Sequence, residues 1–217
     1  MNRAKSRPRR REAAGFTLIE LLVVLGILGL LVVALLPNVL SATKKGDQTE
    51  TQARMLFLRT AIEAFERKNG YYPPDNFVDP DGKVKPKADS VNSGIESLVM
   101  FLSQKATGGE TLADHDDWLE NTDGDKNNSE IPLLGRVDKV EVIDSFGTPF
   151  AYFTSQFGGY DKAQKVKRTD DEEVTAHAAK NPATGKFHSP GKYQLISAGE
   201  DGQFGTPDDL IYPPLAR

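Results

Sequence analysis

Gly15-Phe16-Thr17-Leu18-Ile19-Glu20-Leu21-Leu22 is the stretch on which the fold turns, because a basic leader ends there and a long apolar run begins. From Phe16 to Leu36 every residue is apolar, Gly or Ala, except Thr17 and Glu20. As a helix rising about 1.5 Å per residue, that run spans roughly 32 Å, enough to cross a hydrocarbon core of about 30 Å. Glu20 is the anomaly. An ionisable group inside a spanning helix is costly, so it points to a partner and a function.

Residues 1–15 carry six Lys/Arg and one acid, whereas the whole 217-residue chain has a formal charge of −4. The basic leader predicts an N-terminus in the cytoplasm and the remainder outside. The body beyond it is acidic, which argues against a nucleic-acid partner. The chain has no cysteine. An exported domain without disulfides is held by its core, by packing on its own helix, or by a metal.

The G-F-T-L-I-E run resembles the class III signal of the type IV pilins and type II secretion pseudopilins. The resemblance implies that a prepilin peptidase cuts between Gly15 and Phe16 and methylates the new N-terminal Phe16. Glu20 matches the family's acidic position, and Pro37 its helix proline, a kink position. Cleavage ahead of the apolar run leaves the hydrophobic helix on the mature protein. Its new ammonium then lies about one turn from Glu20, or from the Glu20 of an axially displaced neighbour. A buried charge whose partner sits in the next subunit makes assembly register-specific, since a slip leaves both charges unpaired. Two other readings compete. An ordinary secretory signal cut near Val39-Leu40-Ser41 or Leu40-Ser41-Ala42 has an apolar region of only about 7–15 residues. Neither that signal nor a plain single-pass anchor gives Glu20 a role.

Beyond Pro37 the pattern turns amphipathic: Ala53, Phe57, Ala61 and Phe65 recur every four residues beside Leu58 and Ile62, with Arg54, Arg59 and Glu63 elsewhere. Asn69-Gly70 and Tyr71-Tyr72-Pro73-Pro74 stop the helix. One helix is therefore expected from Phe16 to Asn69, loosened around Lys44–Glu50. Residues 75–135 read as polar and turn-rich, with a short helix at Ile95–Leu102 that Ser90-Val91-Asn92-Ser93 would cap. Asp123, Asp125, Asn127 and Ser129 mimic the first half of an EF-hand loop, but Asn128 and Leu134 replace its Gly and Glu. A solvated loop is the expectation there. Val137–Ile143, Phe150–Phe153 and Lys192–Ser197 read as strands, and residues 158–191 as a surface loop. The N-G-Y-Y-P run and Asp144-Ser145-Phe146-Gly147-Thr148-Pro149 resemble pseudopilin segments.

The second informative stretch runs over residues 197–210, where Glu200, Asp201, Asp208 and Asp209 are interleaved with Gly199, Gly202 and Gly205. Like charges in one tight loop call for a cation, and hard oxygens in a Gly-bent loop suit Ca²⁺. An acidic surface turn built on Asp201-Gly202 accounts equally well for the composition. The segment also resembles the calcium loop of the major pseudopilins. That implies carboxylates from Asp201, Asp208 and Asp209, backbone carbonyls from Ala198 and Gln203, and less firmly Thr206. Glu200 is expected to face solvent.

The expected architecture is α+β and type IV pilin-like. It comprises a leader (1–15), a transmembrane helix (16–36), its amphipathic continuation (37–70), and a periplasmic head (71–217) on a small antiparallel sheet. His115, His177 and His188 lie in polar stretches, and no catalytic motif is present. The expectation is a non-enzymatic pseudopilus subunit, with Ca²⁺, that polymerises and drives export. Its implied partners are copies of itself, minor pseudopilins, the prepilin peptidase, the assembly platform and the inner membrane. A type IV pilus subunit, a minor pseudopilin and a non-polymerising, membrane-tethered calcium-binding domain are the alternatives.

Overall fold

The computed structural model describes residues 16–78, 91–104, 111–157 and 159–214. The leader, Gly15 and Ser90 lie outside them. The chain divides into two compact units, the first ending at Thr43 and the second beginning at Lys44. Helix α1 is Leu18–Asn69. Its Leu18–Leu36 portion is long and apolar enough to cross a membrane, with none of it buried inside the protein. The expected loosening at Lys44–Glu50 is not seen: those residues are helical, and the Thr49 hydroxyl donates to the Lys45 carbonyl at 2.8 Å. Helical assignment also continues through Pro37.

The buried stripe of α1 is Thr51, Arg54, Met55, Leu58, Ile62 and Phe65, while Ala53 is exposed. The stripe is thus rotated from the expected one, and Arg54 changes sides. Its aliphatic stem packs while its guanidinium donates to the Ile143 carbonyl at 2.8 Å, pairs with Glu50 and lies over the Trp118 ring. Burying Leu58 and Ile62 completely contributes about 1.5–3 kcal/mol each.

Among the described residues of the head, α2 (Ser93–Leu102) follows, then a 3₁₀ helix (Leu112–Trp118) and nine short strands. Asn92 does not cap α2 through its side chain. It sits in the left-handed region at φ 50°, accepts the Lys167 N–H at 2.9 Å and donates to Thr122 at 2.8 Å, tying α2 to a later hairpin. Strands β1 (Leu119–Glu120) and β4 (Glu141–Val142) pair, as do β2 (Lys126–Ile131) and β3 (Arg136–Asp138). The stretch read as a solvated loop therefore ends in a strand, and the Val137–Ile143 strand is split. It breaks because Lys139 and Val140 turn into the interior rather than alternating across a surface.

The central sheet has order β5-β8-β9, from Ala151–Thr154, Tyr193–Ser197 and Leu210–Tyr212, all antiparallel. Period-two alternation sends its residues to two cores. Tyr152, Tyr193 and Leu195 join Leu58, Ile62, Leu98 and Val99 from the helices. Ala151, Phe153 and Ile196 face the other way, onto Val166, Val174 and Ala176. Those three belong to β6 (Gln164–Lys167) and β7 (Glu173–Ala176), a hairpin within the stretch expected to be a surface loop. Helix α2 lies close to the sheet because residue 94 is glycine: a β-carbon there would collide with the Tyr152 carbonyl and the Gln164 amide.

Candidate functional site

At the start of α1, Glu20 and Thr17 form a reciprocal cap. The Thr17 N–H and hydroxyl both donate to Glu20 Oε2 at 2.8 Å, and the Glu20 N–H donates to Thr17 Oγ1 at 3.2 Å. Spacing alone did not suggest this local partner, although Thr17-Leu18-Ile19-Glu20 has the capping-box pattern. Phe16 is exposed.

The C-terminal loop leaves β8 at Ser197 and returns as β9. Its entry is held by Asp144, whose Oδ2 accepts the Ser197 hydroxyl at 2.7 Å and whose Oδ1 accepts the Phe146 and Thr148 N–H groups. Burial pushes the Asp144 carboxyl above its usual range against these hydrogen bonds. Gly199, at φ +68°, lets the two limbs meet: a β-carbon there would lie 2.5 Å from the Asp208 carbonyl oxygen.

Within the loop, Asp208 accepts the Asp201 N–H at 3.1 Å and the Thr206 hydroxyl at 2.6 Å. Asp209 accepts the Gly205 N–H at 2.8 Å, and its Oδ1 lies 3.4 Å from the same hydroxyl. The Gln203 carbonyl is a third acceptor there, at 3.3 Å. Hydrogen bonding from Thr206 lowers the Asp208 pKa, whereas burial raises that of Asp209. The loop's expected ligands are all oxygens, the set a hard cation takes, but Asp201, Asp208 and Asp209 are not among the acids that converge within 4.8 Å of one another. Glu200 is half-exposed and pairs with Lys44. Arg168 reaches toward Gly202, so protein cations also compensate part of the loop's charge.

The histidines do not build a site. His115 stacks on Trp118 with ring centroids 3.6 Å apart and meets Phe57 edge-on. What pattern reading missed is an interior acidic group. Glu96, Glu141 and Lys139 are all buried, which reading Val137–Ile143 as a strand did not indicate. Lys139 Nζ lies 3.4 Å from Glu96 Oε2 and pairs with Asp125. Burial pushes Glu141 up to about 7, opposed by the Thr122 N–H. Their separation in sequence hid the cluster.

With this geometry in place, comparison with known proteins adds what the chain is similar to. Residues 10–36 match the prokaryotic N-terminal methylation motif. The fold is α+β and type IV pilin-like. Over 204 residues this pilin-like chain is 25% identical to Type II secretion system core protein G of Escherichia coli (strain K12), covering 94% of the chain and 92% of that relative. It is 34% identical over 100 residues to the protein of the same name in Pseudomonas aeruginosa, covering 46% of the chain and 56% of the relative. Against the Type IV wide pilus major component PilA4 of Thermus thermophilus it is 40% identical over 65 residues, 29% of the chain and 47% of that protein. No solved structure matches.

Proposed function

We propose that the chain is a pseudopilus subunit of a type II secretion system, inserted in the inner membrane with its head in the periplasm. A prepilin peptidase cuts between Gly15 and Phe16 and methylates Phe16. The apolar helices of successive subunits pack together, and each Glu20 exchanges its local Thr17 cap for the N-terminal ammonium of a neighbour. Minor pseudopilins and an inner-membrane assembly platform are the remaining partners. The growing rod does mechanical work on exported protein and carries out no chemistry of its own. In the head, Asp201, Asp208 and Asp209, with the carbonyls of Ala198 and Gln203, hold Ca²⁺. The ion supplies charge neutralisation and a clip on the last strand.

The observation that carries this reading is a single carboxylate, Glu20, four residues beyond Phe16 in an otherwise apolar helix start. Co-expression with a prepilin peptidase, followed by N-terminal sequencing and mass spectrometry, tests it. The expected mature chain begins with N-methylated Phe16. A chain beginning near Ser41, or one left uncut, overturns the proposal. Glu20→Leu is expected to be cut normally yet yield no filaments, and rods at normal yield would refute the pairing. The match to the Thermus pilus component favours, as second reading, a type IV pilus subunit with the same processing. Loss of cargo secretion without loss of surface pili in a deletion strain separates the two.

A further inference from the structure

The turn between β6 and β7 touches two segments that lie far from it in sequence. The Arg168 N–H donates to the Glu172 carbonyl at 2.9 Å and closes the turn. From this turn the Thr169 N–H and hydroxyl both donate to the Gly147 carbonyl at 3.1 Å. Gly147 lies between Asp144 and Thr148, in the turn whose Asp144 carboxylate accepts the Ser197 hydroxyl at the entry of the C-terminal loop. On the other side the Arg168 guanidinium lies against Gly202, and the Gln203 side-chain amide donates to Glu172 Oε1 at 3.2 Å. One hairpin turn therefore meets both the loop's entry and its first limb.

Glycine makes both approaches possible. A β-carbon on residue 147 would lie 2.5 Å from Thr169 Oγ1, and one on residue 202 would strike the Arg168 guanidinium. That guanidinium is itself held: it pairs with Asp170 at 3.1 Å and with Glu172 at 3.2 Å, and the side chain is 16% exposed. Two carboxylates fix the orientation of its plane, which a lysine ammonium, lacking the fork, cannot reproduce. Asp201, just ahead of Gly202, accepts the Gln203 N–H at 2.8 Å. The two residues that Arg168 and Glu172 touch are thus the ones that set the Asp201 side chain.

We infer that the β6–β7 turn is the seat of the C-terminal loop, with Arg168 as the positioning residue that holds Gly202 and Gln203 in place before any ion binds. The β6–β7 hairpin then does two jobs: it covers the second core, and it orders the loop from outside. The order it supplies does not depend on the calcium reading, and the test separates the two.

The test is amide hydrogen exchange, read by mass spectrometry, on the detergent-solubilised full chain in EDTA and again in CaCl₂. Peptides covering residues 199–209 are the readout, and those covering β5 and β8 are the control. In EDTA, Arg168→Ala is expected to speed exchange of the loop peptides about tenfold, the effect of losing one charge-assisted hydrogen bond, with β5 and β8 unchanged. Arg168→Lys, which keeps the charge without the planar fork, is expected to match it. Glu172→Ala, at an exposed side chain, replaces Arg168→Ala if that variant does not fold. Loop exchange in Arg168→Ala or Arg168→Lys as slow as in the unaltered chain overturns the proposal, as does faster exchange that extends equally to β5 and β8. Added CaCl₂ is expected to slow the loop peptides of the unaltered chain further. If it does not, while the variants still differ in EDTA, the calcium reading falls and the seat stands.

Discussion

At Asp75 a carboxylate sits in the core with its Oδ2 accepting the Thr154 N–H at 2.9 Å. Burial outweighs that hydrogen bond and pushes its pKa from 3.8 up to about 6. The folded state therefore holds a proton that the unfolded chain has released, and its stability falls as pH rises from about 4 to about 6. The loss attributable to Asp75 is about 3 kcal/mol. Asp75→Asn is expected to flatten that part of the profile, as measured by urea denaturation at pH 4, 5, 6 and 7. An unchanged slope in the variant would show that Asp75 is not its source. Asp144 is likewise buried and pushed up by burial, but three donors converge on it. Asp144→Ala strands those donors and is expected to cost at least about 2 kcal/mol, read in the same denaturation experiment. Neither acid stands out in the sequence, because burial is conferred by strands and helices that arrive from elsewhere.

Among the elements, α1, α2, β5 and β8 follow directly from periodicity and length, and their ends fall within a residue or two of expectation. The β6–β7 hairpin does not. Its apolar residues are Val166, Val174 and Ala176, small side chains spaced among charges, and only contact with Phe153 and Ile196 makes them core. A sheet covered on one face alone would leave Phe153 in water, and Phe153 is 1% exposed. Phe153→Ala is accordingly expected to destabilise the head by about 3–5 kcal/mol. Val137→Ala, on an exposed strand position, should change it by less than about 0.5 kcal/mol. The single tryptophan, Trp118, packs on Phe57 and reports both transitions by fluorescence.

For the molecule as a whole, stability is divided between two cores, and the Ca²⁺ proposed for the C-terminal loop adds to it. A ligand that binds only the folded chain at a hundred times its dissociation constant adds about 2.7 kcal/mol. For a chain of this size that corresponds to a Tm shift of roughly 5–10 °C. EDTA is expected to lower the Tm of the detergent-solubilised chain by that amount, and Asp208→Ala to shrink the response. An identical response in the variant would remove the C-terminal loop from the account of stability.

The sequence by itself determined the membrane-length helix, the acid stranded four residues into it, the family motif and the position of the acidic C-terminal loop. These are local properties: a run of apolar residues, a spacing, a composition, each complete within one stretch of chain. Only the tertiary structure decided that Lys139 and Glu141 lie inside, that Arg54 belongs to the buried stripe, and that residues 164–176 cover the second face of the sheet. Those outcomes depend on which distant surfaces meet. Burial, and with it the cost or value of a charge, is a property of the neighbours rather than of the residue.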